Sequence, residues 1–233
     1  MNAQTRRTFL RAGLIAAGAS TLAGARLFGA TPDQSGEAQE EVSPAEDLMR
    51  EHGVLKRVLL IYGEAVRRIE AKEDVPPDAV MDSARIIRSF IEDYHEKLEE
   101  NFLFPRFEKA GRLVDLVKVL RDQHTAGRRV TDITLRLATT QALKDSDDRR
   151  KLADSMRQFI RMYNPHEARE DTVLFPAFRK IVSHHEYDAL GEDFEKKEHE
   201  LFGADGFETM VDKVAAIEKT LGIYDLAQFT PKT

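Results

Sequence analysis

Six residues of the chain have types and spacing suited to metal chemistry: His52, His95, Glu99, His124, His166 and Glu170. Two of the histidines are followed by a glutamate at the fourth position, His95 by Glu99 and His166 by Glu170. Four residues of an α-helix turn through about 400°, so each pair aims in one direction, one turn apart. His52 and His124 stand alone, each on the apolar face of its own helical segment. If the segments pack together, four imidazoles and two carboxylates converge on one point. Burying two glutamates without a partner is costly, and a cation supplies the missing positive charge. Nitrogen and oxygen donors without sulfur suit iron, manganese or zinc, and two carboxylates can bridge two metals about 3–4 Å apart.

A lone histidine on an apolar face is more often a hydrogen-bonded core residue than a ligand. Here the pattern is duplicated. His95-Glu96-Lys97-Leu98-Glu99-Glu100-Asn101-Phe102-Leu103-Phe104-Pro105 matches His166-Glu167-Ala168-Arg169-Glu170-Asp171-Thr172-Val173-Leu174-Phe175-Pro176. The offset is 166 − 95 = 71, and the lone histidines repeat at 124 − 52 = 72. A helix pair carrying His52 and His95 therefore recurs as a pair carrying His124 and His166, and two such hairpins pack naturally about a pseudo-twofold axis.

The elements that must position these residues are legible from periodicity. Ser43-Pro44-Ala45-Glu46 is a helix start, with a serine cap, proline at the first position and glutamate three residues after the cap. Leu48, His52, Leu55, Leu59 and Tyr62 then share one face. Ile87, Ile91, His95, Leu98 and Phe102 give a second face, which is expected to end at Pro105. A third helix is expected from about Arg112, with Leu113, Val117, Leu120, His124 and Thr131 in line. Residues 141–148 read as a polar break. A fourth helix carries Leu152, Met156, Phe159, Tyr163, His166, Glu170 and Leu174, and is expected to end before Pro176. The fold class expected is all-α: an antiparallel up-and-down four-helix bundle over residues 43–182, with extra C-terminal helices over 183–233 packing on it.

The H…H-x-x-x-E…H…H-x-x-x-E arrangement with its Leu-Phe-Pro ends resembles the hemerythrin/HHE cation-binding family, over about residues 45–182. The resemblance implies a non-haem centre of two iron ions, with His52, His95, His124 and His166 as histidine ligands and Glu99 and Glu170 as bridging carboxylates. Manganese or zinc would suit the same donors. Asp171, one position beyond Glu170, competes with it as the acidic ligand, and Glu100 is its counterpart. Oxygen-carrying members of the family have a further histidine four residues beyond the one on the third helix; that position is Arg128 here. This implies a site closer to the family's oxidant- and nitric-oxide-responsive branch, with His199 a candidate for a missing ligand. A ferritin-like site would need two E-x-x-H motifs; Glu92-Asp93-Tyr94-His95 is one, but no acid stands in Tyr163-Asn164-Pro165. His184, His185 and His199 have no counterparts in the repeat and read as surface residues. Tyr62, Tyr94 and Tyr163 lie near enough for one to hydrogen-bond a bound species, although packing is their commonest role. The expected small-molecule partner is a diatomic (oxygen, nitric oxide) or peroxide, with an electron donor needed for turnover. The alternative is a non-catalytic protein that stores oxygen or metal.

Composition narrows the rest. The chain of 233 residues has no cysteine, which rules out disulfides and thiolate metal sites. Its formal net charge of −6 argues against a nucleic-acid or anionic-membrane partner. Thr5-Arg6-Arg7-Thr8-Phe9-Leu10-Arg11, followed by a small apolar run from Ala12 to Ala23, resembles a twin-arginine export signal over residues 1–30. The run is too short to span a bilayer as an ordinary helix. Residues 31–42 are polar and acidic and read as a linker. Export by this route moves folded, cofactor-loaded proteins, which implies a periplasmic protein whose mature form has no membrane span. Cleavage near Ala25 would take the charge to −6 − 3 = −9.

Overall fold

The computed structural model describes residues 42–232; the export-signal stretch and most of the linker lie outside the described residues. All regular structure among the described residues is helical. Helix α1 (Pro44–Ala71) begins where the Ser43 hydroxyl accepts from the Glu46 amide at 3.3 Å, with Pro44 in the first turn. It ends on Lys72, whose φ of 60° breaks the helical run. Helix α2 (77–110) closes on Gly111, whose φ of 61° belongs to the left-handed region that glycine enters without strain. Helices α3 (Val114–Leu137), α4 (Thr140–Lys144) and α5 (146–178) follow. Helices α6 (His184–Phe202) and α7 (Gly206–Leu221) complete the chain before a short 3₁₀ turn (Leu226–Phe229).

α1, α2, α3 and α5 form a ring of antiparallel neighbours, and their apolar faces meet along its axis. Leu48, Leu55, Val58, Tyr62, Phe90, Leu120, Phe159 and Phe175 are all buried there, as the helical spacing requires. α6 and α7 lie against the outside of the ring, α6 on α1 and α7 on α1 and α2. Arg57 fastens α7 by a two-pronged pair to Glu218, at 2.9 and 2.6 Å. The buried Glu198 of α6 accepts from the Phe207 amide at 2.9 Å, a carboxylate at the amino-terminal end of α7 where the helix dipole favours it. No helix among the described residues is long and apolar enough to cross a membrane.

Two boundaries differ from those read in the sequence. Pro105 and Pro176 do not end their helices, which continue to Ala110 and Phe178. Each proline follows a wide π turn, Glu99–Leu103 in α2 and Glu170–Leu174 in α5. At the return from i+5 to i+4 bonding one amide position has no regular acceptor, so a residue without an N–H is tolerated there. The stretch 141–148 is not simply a break either. It contains most of α4, whose start is capped by Thr139, and the start of α5, capped by Asp145.

Candidate metal centre

His52 comes from α1, His95 and Glu99 from α2, His124 from α3, and His166 and Glu170 from α5. The structure brings all six together, and none is more than 3% exposed. The imidazoles fall into two pairs. His52 and His95 have ring centroids 4.7 Å apart, and His124 and His166 5.0 Å apart. The carboxylates lie between the pairs. Glu99 Oε2 is 3.8 Å from His95 Nε2 and 3.4 Å from His124 Nε2. Glu170 Oε2 is 3.1 Å from His166 Nε2 and 3.4 Å from His52 Nε2. Each glutamate thus reaches one histidine of its own hairpin and one of the other, so that both pairs share both carboxylates.

The Nε2 atoms face inward because each Nδ1 is engaged elsewhere. His52 Nδ1 lies 2.7 Å from Asp171, His95 Nδ1 2.7 Å from Glu51, His124 Nδ1 3.1 Å from Glu100, and His166 Nδ1 2.8 Å from Gln123. All four acceptors are oxygens, so each imidazole donates from Nδ1 and turns Nε2 to the interior, the nitrogen it would offer to a metal. These acceptors obey the repeat as well: 51 + 72 = 123 and 100 + 71 = 171. Phe104 stacks on His124 and Phe175 on His52, each with centroids 5.5 Å apart, which fixes ring orientation.

The donor set fits a bound metal. Among the described residues, four sets of acidic or histidine side chains have ligand atoms within 4.8 Å of one another. One is Glu99, His124, His166 and Glu170; another is His52, His95 and Glu99. Both oxygens of Glu99 and of Glu170, and Nε2 of His124, are buried without a hydrogen-bond partner. Orphaned acceptors of this kind are costly unless a cation takes them up. Burial drives the Glu99 carboxyl well above its ordinary range, and the neighbouring Glu170 adds to the shift. Burial likewise drives His95 well below its ordinary value and His124 down to about 4, which leaves both imidazoles neutral and ready to ligate. His52 differs: burial lowers it, but Asp171 and Glu170 outweigh that and hold it at about 10.

Residues near the cluster take other parts. Asp171 and Glu100 do not compete for the interior; they hold His52 and His124 from behind. The wide turns starting at Glu99 and Glu170 explain how. An under-wound turn steps each residue by less than the regular 100°, keeping the following acid closer to the face of its neighbour. Arg128 points at acids, 2.6 Å from Glu96 and 2.7 Å from Glu100. Tyr163 donates to Glu96 at 2.5 Å, and Tyr94 to Glu198 at 3.5 Å. Tyr62 is fully buried and its hydroxyl has no partner. Glu92 accepts from Thr131 at 2.5 Å, outside the cluster. His199 joins none of the candidate metal groups, and His184 and His185 are exposed. Glu51 and Gln123 carried a sequence signal that the reading missed: each immediately precedes a lone histidine and so lies one 100° step from the ligand face.

The family model for the hemerythrin HHE cation-binding domain matches residues 43–133 and again 116–230. The chain belongs to this family. The two matches start 116 − 43 = 73 residues apart, close to the spacing of the internal repeat. Uncharacterized proteins of Mycobacterium bovis and of two Mycobacterium tuberculosis strains are each 54% identical over 200 residues, covering 86% of this chain and 78% of theirs. No solved structure matches the chain at a significant level.

Proposed function

We propose that this is an exported, hemerythrin-like non-haem di-iron protein that binds or reacts with a diatomic or an oxidant: oxygen, nitric oxide or peroxide. The observation that carries the reading is the placement of Glu99 and Glu170, each between a histidine of one pair and a histidine of the other. His52 and His95 would hold one iron, His124 and His166 the second, and the two glutamates both. The irons would supply redox chemistry and a place for the small molecule. Arg128 stands where a fifth histidine would add a ligand, and its guanidinium is committed to Glu96 and Glu100. The site is therefore short of one protein donor relative to the oxygen carriers, which favours reaction over reversible carriage. The chain's own residues exclude bulk water, orient the imidazoles through their Nδ1 partners and keep the carboxylates ionised once a cation is present.

The export part of the proposal rests on the twin-arginine-like stretch and the absence of cysteine, and places the protein in the periplasm. Metal analysis and an optical spectrum of the full chain, purified without added metal, test the centre. About two irons per chain and ferric charge-transfer bands are expected, with both lost in His95→Ala. One zinc, or no metal, unaffected by that substitution, would overturn it. Turnover of peroxide or nitric oxide no faster than by free iron would leave the binding function and remove the reactive one.

A further inference from the structure

The two halves of the centre have the same ligands but different support. Behind the His52–His95 pair stand two carboxylates, Asp171 and Glu51, each 2.7 Å from its imidazole nitrogen. Behind the His124–His166 pair stand one carboxylate and one amide. His166 donates to the neutral Oε1 of Gln123 at 2.8 Å. His124 is 3.1 Å from Glu100, whose charge is already shared with Arg128 at 2.7 Å and Lys97 at 2.5 Å. Glu51 and Gln123 are the same position of the repeat, so the difference is one of chemistry and not of geometry.

An imidazole that donates to a carboxylate is a stronger base at its other nitrogen than one that donates to an amide, and so a stronger metal ligand. Each shared glutamate lies within 3.8 Å of one histidine of each pair, although the donors of Glu170 gather with the His124–His166 set and not with the His52–His95 set. What the His52–His95 pair alone has is a carboxylate behind both of its histidines, and Asp171 pairs with no Lys or Arg among the described residues. Charge placed behind the histidines tells the pairs apart. We infer that the two cation positions are unequal: the His52–His95 position fills first and tightly, and the His124–His166 position second and more weakly. The inference rests on the two-cation reading of the site. Its consequence for function is that the weaker position, held by the less basic imidazoles, is the more Lewis acidic one and the one from which metal is lost.

Anaerobic titration of the metal-free full chain with cobalt(II), followed by calorimetry and visible absorption, reads the two positions separately. Two phases are expected, their dissociation constants about tenfold or more apart, the range that outer partners of metal-bound histidines control. Crystals grown with one equivalent of cobalt should give anomalous density between His52 and His95. Gln123→Glu should tighten the second phase and close the gap. Glu51→Gln should weaken the first. Gln123 is only half-buried, so its variant tests the idea even if the buried Glu51 tolerates no change. Equal affinities, first density between His124 and His166, or a Gln123→Glu titration identical to wild type would overturn the inference. Saturation at one cobalt per chain would instead overturn the two-cation reading beneath it.

Discussion

The seam between α2 and α3 and the seam between α5 and α1 are the same place in the repeat, built in opposite styles. On the first, Glu92 and Glu96 face Gly127, Arg128 and Thr131. On the second, the equivalent positions of the repeat, 71 or 72 residues away, are Tyr163 and Glu167 on one helix and Leu55, Lys56 and Leu59 on the other. The first seam is polar and buried: Arg128 joins Glu96 to Glu100, and Thr131 and Arg88 hold Glu92. The second is largely apolar, with Leu55 and Leu59 in the core and the half-exposed Lys56 reaching over to Glu167 at 2.5 Å. Tyr163 crosses between them, donating to Glu96 above a glycine where the other seam has a leucine. The ligand positions have the same residue types in both hairpins, as a metal-binding site requires. Around them the repeat positions differ: Gly127 and Thr131 stand where the other seam has Leu55 and Leu59, while an acid–cation pair is present in both, Arg128 with Glu96 and Lys56 with Glu167.

Ligand changes should erase the comparison, and they carry the largest effect. Glu99→Ala and Glu170→Ala each remove a carboxylate from both pairs at once. If the centre holds the two irons proposed, metal content should fall to about one ion per chain or none in both variants, by elemental analysis. Loss from only one of the two variants would show that the carboxylates are not shared.

The cations beside the centre should separate the seams. Arg128→Met leaves the buried Glu96 and the partly buried Glu100 without their common partner, a break that costs about 3–5 kcal/mol for buried pairs. Lys56→Met removes a half-exposed ammonium from a single acid and should cost about 1 kcal/mol. Urea unfolding of the two variants measures both, and equal losses would mean that the two seams depend on their cations alike.

The apolar counterparts sharpen the contrast. Leu55→Ala should cost about 2–5 kcal/mol by leaving a cavity. Gly127→Ala errs the other way: a β-carbon there would run into the Tyr163 hydroxyl. Overpacking of this kind costs about 1–3 kcal/mol. Part of that cost should vanish in a Tyr163→Phe background, giving a coupling of about 0.5–3 kcal/mol in a double-mutant cycle. Strict additivity would mean that the tyrosine does not occupy the space the glycine opens.

Much of this architecture was legible because helical periodicity and the 71–72-residue repeat are one-dimensional patterns. Ser43-Pro44 announced a helix start, and duplication made four ordinary histidines informative. What periodicity could not convey was how wide turns alter facing. A regular helix puts Glu100 and Asp171 off the ligand face, and only the π turns at Glu99 and Glu170 bring them behind His124 and His52. The same turns hid the ends of α2 and α5, since proline is read as a stop unless the local register has slipped. Glu51 and Gln123 went unread for a simpler reason. A residue beside a ligand lies off its helix's core face, and its use depends on which neighbouring helix it meets. The cross-hairpin sharing of the carboxylates is likewise a property of packing between elements, which no single helix encodes.

Glu92 offers the finest test of the polar seam, because it occupies the repeat position that Tyr163 fills in the other. Burial pushes its carboxyl up to about 7, although Thr131, Arg88 and Arg128 each act to lower it. In the unfolded chain the group ionises near the ordinary glutamate value, about 4.3. Between those two values the folded protein keeps a proton that the unfolded chain has released. Folded protein therefore binds more protons across that window, and stability falls as pH rises through it. Glu92→Gln keeps the oxygen that accepts from Thr131 and removes the titration. The variant should match the parent near pH 4 and gain on it as pH approaches 8, by up to about 3 kcal/mol. Urea midpoints of both proteins at matched pH measure the difference directly, and any contribution common to both, bound metal included, cancels. A gap that stays constant across the range would mean that Arg88 and Arg128 already hold Glu92 ionised, and that the seam is an ion-pair network instead of a protonated, hydrogen-bonded one.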